Sequence, residues 1–131
     1  MKFAIVVPAR KNSKSILNKN IKVIKKKPLI EYTLSSVRKL KFKKFILTDS
    51  SKIKKISKKY GFITSYLRPK NVSTDKTSTS RTLLNFIGWL DTNYPNNFDY
   101  LVVLQATSPL RSTKDITNAI NIIKKKKFTS L

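Results

Sequence analysis

The first loop of the chain carries its densest chemistry. It reads Pro8-Ala9-Arg10-Lys11-Asn12-Ser13-Lys14-Ser15-Ile16-Leu17-Asn18-Lys19-Asn20, so four cations and two hydroxyls follow directly on the apolar run from Lys2 to Val7. Arg and Lys donate charge-assisted bonds to phosphate oxygens, and the amides of a curved loop or a helix start add positive potential. These residue types therefore suit a triphosphate. The loop is neither of the familiar phosphate loops, because GxxxxGK[ST] and GxGxxG are both absent. Taken alone, a basic loop is equally well read as surface lysines in solvent.

Composition narrows the chemistry further. The chain has no cysteine and no histidine, which excludes disulfides, thiolate nucleophiles, Cys/His zinc sites and His-based triads. What remains is Lys, Arg, Asp, Ser, Thr, the backbone, or a metal held by oxygen ligands. A formal charge of +23 suggests a polyanionic partner such as a nucleic acid or an anionic membrane surface. Its distribution argues against one: only five of the 29 basic residues are arginine, and they spread along the chain. The lysine runs at 25–27 and 124–127 lack interleaved aromatics, whereas base-edge readout favours arginine and single-strand binding wants aromatic platforms. A solvated, lysine-rich surface is the preferred reading, with no nucleic-acid partner. No stretch reaches the roughly 18 apolar residues that span a bilayer, and the opening MKFAIVVPAR is broken too early by Pro8 to be a signal peptide. The expected location is the cytoplasm, away from the membrane.

The elements that must position the first loop alternate in type. The run to Val7 reads as a buried central strand. Pro28 opens a helix over 29–39, with Leu29, Ile30, Tyr32, Leu34, Val37 and Leu40 at helical spacing. Phe45 to Thr48 forms a second strand, and Asp49, Ser50 and Ser51 offer capping chemistry for a helix to Tyr60, ended by Gly61. Phe62 to Tyr66 is expected as a third strand, 68–78 as a polar loop, and Thr79 to Thr92 as a helix. Tyr100 to Leu104 gives a fourth strand, Thr113 to Lys126 a helix with Asp115 near its positive end, and Phe128 to Leu131 the start of another strand. Tyr32, Phe86, Trp89 and Phe98 sit in apolar periodic stretches and read as packing groups rather than base-stacking ones. With 131 residues and 40% hydrophobic content, one domain is expected over 1–131. Its class is α/β, three-layer α/β/α with a mostly parallel sheet, which binds ligands at the carboxyl ends of its strands.

Context sharpens the first loop. VPARKNSKSILNKNI resembles the opening motif of the acylneuraminate cytidylyltransferase family, a strand running into Pro-Ala-Arg, Ser-Lys and Lys-Asn. LQATSPLR, from Leu104 to Arg111, resembles the same family's LQ-x-TSPLR segment, and ILTDSSKI and RPKNVSTDKTST fall between them in the family's order. The likeness covers essentially the whole chain. It implies a Rossmann-like nucleotidyltransferase fold, of the nucleotide-diphospho-sugar transferase kind. It also implies transfer of CMP from CTP to a sialic-acid-like nonulosonic acid, with release of pyrophosphate. Synthetases for 3-deoxy-manno-octulosonate are a related alternative, but they typically carry Lys-Pro where this chain has Lys19-Asn20, and an acidic segment in place of TSPLR.

The resemblance also implies roles by position. Arg10, Ser13, Lys14, Lys19 and Asn20 match the nucleotide loop, where Arg10 and Lys19 would stabilise charge on the leaving pyrophosphate. Arg68, Ser78 and Thr79 match the segment that closes over the nucleotide and reads its base. Gln105, Ser108 and Arg111 match the acceptor-sugar segment, and a guanidinium at Arg111 suits a carboxylate; an ion pair or a carbonyl cap is the structural alternative there. Asp75 is read as a capping or loop-folding residue ahead of a catalytic one.

Three departures qualify the likeness. Asn12 and Ser15 stand where glycine is frequent in the family, and Ala106 stands where proline is. The family's second half, with its metal-binding aspartates and dimerisation element, has no counterpart here, so the domain is expected to be incomplete at its C-terminus. Mg2+ is the cofactor the resemblance implies, its aspartate ligands missing, and a homodimer is implied for the full-length family. Nucleotide affinity with little or no turnover is the expectation for the chain alone. A basic nucleic-acid-binding module and an inactive gene fragment are the competing readings.

Overall fold

In chain order the elements are β1 (Phe3–Pro8), a short hairpin of β2 (Val23–Ile24) and β3 (Lys27–Pro28), and α1 (Leu29–Val37). They continue with β4 (Lys43–Leu47), α2 (Ser51–Lys58), a 3-10 turn (Lys70–Val72), α3 (Thr79–Asn93), β5 (Tyr100–Val103) and α4 (Thr113–Lys126). This computed structural model describes residues 1–11, 21–73, 78–106 and 112–126, so the strand expected from Phe128 lies outside the described residues. β1 is the central strand of a parallel sheet in the order β4-β1-β5, with Val6 in register with Phe45 on one side and Val103 on the other. The chain thus starts in the middle, moves outward to β4 and returns across β1 to β5.

Strand alternation sends neighbouring β1 residues to opposite faces, and each face has its own helices. Phe3, Ile5 and Val7 pack with Ile30, Leu34 and Val37 of α1, Ile53 of α2, and Ile116, Ile120 and Ile123 of α4. Ala4 and Val6 pack on the other side with Phe45, Leu47, Tyr66, and Phe86 and Leu90 of α3. The result is the three-layer α/β/α arrangement expected from the alternating pattern. The α3 face is aromatic: Phe45 meets Phe86, Trp89, Tyr94 and Phe98 at ring distances of 5.4–6.1 Å. Phe86, Trp89 and Phe98 are therefore packing groups, as their periodicity implies. Tyr32 serves the hairpin, its hydroxyl donating to the carbonyls of Ile24 and Lys25.

Helix starts follow local chemistry. Ser50, rather than Asp49, caps α2 by accepting the Ile53 N–H at 3.2 Å. Gly61, at φ +80°, carries the chain out of that helix in the left-handed conformation. At α4, Ser112 and Asp115 satisfy each other's backbone N–H at 3.1 Å, a reciprocal cap.

Two expectations need correction. Phe62 to Tyr66 is not a third strand; it makes a single parallel bridge, Ile63 beside Phe45. In a regular strand Phe62 and Tyr66 would face the same way, yet Phe62 lies in the core under α1 and Tyr66 in the core under α3. The segment crosses from one layer to the other, so its ladder cannot continue. The β2–β3 hairpin was not expected at all. Its turn holds Lys25 and Lys26 at φ 48° and 77°, positions where Asn-Gly is the usual signal.

Candidate functional site

The carboxyl end of β1 is tied to β4 at the start of the first loop, the Ala9 N–H donating to the Leu47 carbonyl at 2.9 Å. Two residues later the Lys11 N–H donates to Asp49 Oδ1 at 2.6 Å, a short charge-assisted bond. Half-buried Arg10 lies between these two anchors. Arg68 arrives at the same place from beyond the Ile63 bridge. Its Nη1 donates to the Leu47 carbonyl at 3.3 Å and its Nη2 to Thr82 Oγ1 at 3.2 Å. Burial pushes the Arg68 guanidinium below its ordinary value; Asp49, and then Tyr66, oppose that effect, while the positive charge of Arg10 adds to it. Arg10, Asp49 and Arg68 therefore share one electrostatic environment.

Buried Thr82 passes the connection to the start of α3. Its N–H and hydroxyl both donate to the Ser78 carbonyl, at 3.2 and 3.3 Å, and Ser78 Oγ caps the helix by accepting the Arg81 N–H at 3.1 Å. From the third strand end, Leu104 N–H donates to Val6 at 2.9 Å, and the next side chain, Gln105, donates through Nε2 to Thr79 Oγ1 at 3.2 Å. The ends of β1, β4 and β5 and the positive end of a 15-residue helix thus converge. Two guanidiniums beside a helix N-terminus form a setting for phosphate oxygens.

Five of the residues singled out in the sequence, Arg10, Arg68, Ser78, Thr79 and Gln105, lie at this end of the sheet. Ser13, Lys14, Lys19, Asn20, Ser108 and Arg111, together with Asp75, lie outside the described residues. Asp49 and Thr82 were not singled out as site residues. Asp49 looks like one capping candidate among three, and Thr82 like one more helical residue; their roles come from partners distant in sequence. Among the described residues no group of three or more acids could hold a metal ion, and Asp49 already spends one oxygen on the Lys11 amide. The described residues do not fit a metal site. No helix among the described residues is long and apolar enough to cross a membrane.

A larger groove, of about 590 Å³, runs along the open edge of β5 between α3 and α4, lined by Leu83, Ile87, Tyr100, Val102, Ala119 and Ile123 among others. Its walls are apolar and its charged member is Asp99, whose carboxylate accepts the Lys2 N–H at 2.8 Å. That lining repels phosphate. The polar cluster around Arg10 and Arg68 is the better candidate site.

Comparison with known proteins identifies a family and a fold. The family model described as Cytidylyltransferase matches residues 4–131. The CMP-N,N'-diacetyllegionaminic acid synthase of Legionella pneumophila is 30% identical over 126 residues, a match covering 95% of this chain and 54% of that protein. An N-acylneuraminate cytidylyltransferase of Escherichia coli is 34% identical over 125 residues, covering 92% of this chain and 28% of that protein. In fold, the chain is similar to a CMP:2-keto-3-deoxy-manno-octonic acid synthetase solved in complex with CTP, with a TM-score of 0.75 at 19% identity, covering 97% of this chain and 49% of that one. The chain spans about half or less of the length of these relatives.

Proposed function

The chain belongs to the cytidylyltransferase family, and from that membership we propose that it binds CTP at the carboxyl ends of β1, β4 and β5 and serves the transfer of CMP to a nonulosonic acid of the sialic-acid kind. The observation that carries this reading is the convergence of Arg10 and Arg68 on one strand end beside the N-terminus of α3. In the reaction the anomeric hydroxyl of the sugar attacks the α-phosphorus of CTP, the bond to the β-phosphate breaks, and the hydroxyl proton is lost as pyrophosphate leaves. Arg10 and Lys19 stabilise the charge that grows on the leaving group. Ser13, Lys14 and Asn20 complete the phosphate loop. Arg68 holds the closing segment, and Ser78 and Thr79 bring the amides of α3 to the nucleotide. Gln105, Ser108 and Arg111 take the acceptor sugar, with Arg111 on its carboxylate. Mg2+ would supply neutralisation of charge on the triphosphate, and none of the described residues is assigned to hold it.

Calorimetric titration with CTP, ATP, GTP and UTP tests the reading. CTP should bind in preference to the other three, and Arg10→Ala should weaken it by about 10- to 100-fold, the loss of one charge-assisted contact. Equal binding of all four nucleotides, falling steeply with salt, would instead favour a nonspecific polyanion surface.

A further inference from the structure

We propose that Asp49 is a positioning residue for Arg10, acting through the backbone amide of Lys11 rather than on the nucleotide itself. The inference rests on the nucleotide-binding reading above. Its basis is geometric: Asp49 Oδ1 accepts the Lys11 N–H at 2.6 Å, and the Ala9 N–H is held by Leu47 at 2.9 Å. Arg10 is thereby pinned on both sides by bonds to residues at one strand end, Leu47 and Asp49. The backbone carrying its guanidinium is fixed before any ligand arrives, so little ordering is left for binding to impose.

An aspartate is an unexpected choice beside a phosphate site, because its charge repels the ligand. The surroundings explain why it is tolerated. Arg68 and Arg10 lie close enough to interact unfavourably with each other, and Asp49 opposes the burial of Arg68. The carboxylate offsets the repulsion of two guanidiniums while its oxygen holds the Lys11 amide. Asp49 itself is exposed and directly precedes the α2 cap Ser50, so the helix start does not use it as its cap.

Two substitutions separate the bond from the charge. Asp49→Asn keeps an oxygen acceptor of the same reach and removes the charge; Asp49→Ala removes both. Titration with CTP should show Asp49→Ala about tenfold weaker than the wild type, and Asp49→Asn within about threefold of it, in line with the worth of a hydrogen bond to a charged group. Preference for CTP over UTP should be unchanged in both, because the base is read elsewhere. In the absence of nucleotide, the Lys11 amide proton should resonate downfield and exchange slowly in the wild type and in Asp49→Asn, and lose both properties in Asp49→Ala. Wild-type affinity in Asp49→Ala, or an Asp49→Asn as weak as Asp49→Ala, would overturn the proposal. If Asp49→Ala does not fold, the Lys11 amide in wild type and Asp49→Asn decides: an unprotected, unshifted amide overturns it. A wild type that fails to select CTP refutes the parent reading, whereas an unperturbed Lys11 amide refutes this inference alone.

Discussion

The chain has two glycines, and replacing each by alanine should change stability in opposite directions. Gly88 lies inside α3 on an exposed face, and a Cβ added there would meet nothing within 4 Å. Alanine at that position removes the conformational freedom glycine contributes to the unfolded chain, a gain of about 0.8–1 kcal/mol in a helix interior. Gly61 also faces open space, but its φ is +80°, where an L side chain meets the following carbonyl at a cost of about 1–2 kcal/mol. For a domain of this size a change of 1 kcal/mol moves the melting midpoint by about 3–5 °C. Thermal unfolding followed by far-ultraviolet circular dichroism should therefore place Gly88→Ala about 3–5 °C above the wild type and Gly61→Ala below it by a similar or larger margin. Because α3 carries Thr79 and Thr82 on its first turn, Gly88→Ala should leave CTP affinity unchanged. A destabilised Gly88→Ala would refute the reasoning, since it would mean that the outer face of α3 is packed against something.

Three further outcomes follow from the same structure. Lys26→Gly should stabilise the chain by about 0.5–1 kcal/mol, because Lys26 sits at φ 77° in the hairpin turn; a raised urea midpoint with an unchanged slope is the expected result. Burial raises the Tyr66 phenol above its ordinary value, so the native state keeps a proton that the unfolded chain gives up above about pH 10. This contribution is fully present below that pH and is lost as pH rises through the raised value, and urea midpoints from pH 8 to 11 should decline less in Tyr66→Phe. At neutral pH that variant should lose about 0.5–1.5 kcal/mol with the hydrogen bond to Asn85. Arg68→Lys keeps the charge but cannot reach both Leu47 and Thr82 as the fork does; CTP titration should show a loss of about tenfold or more, and wild-type affinity would remove Arg68 from the site.

Most of the layered fold was legible because its signals are local. The apolar run of β1, the periodic faces of α1 and α3, and Asp115 near the positive end of α4 each declare an element within a few residues. The misreadings were tertiary or chemical. Phe62 to Tyr66 has strand-forming residues, but its two large side chains serve opposite cores, which no local pattern encodes. The β2–β3 hairpin hides because lysines occupy a turn that glycine and asparagine would have announced. At the site, the basic loop after β1 stood out by composition, whereas Arg68 and Gln105 gained meaning only from the order of motifs along the chain. Asp49 and Thr82 were visible only once folding set them against Lys11 and Arg68. The +23 charge, the most conspicuous number in the composition, said least about the site, since its geometry depends on a few cations at one strand end.

Backbone amide spectra recorded during parallel titrations with CTP and UTP test the central claim most directly. CTP should perturb Arg10, Lys11, Asp49, Arg68, Thr79 and Gln105 first, at concentrations where UTP does little, and leave Val102 and Ala119 beside the apolar groove unmoved. Equal responses to both nucleotides, spread over the lysines of α2 and α4, would contradict it and reduce the site to nonspecific charge.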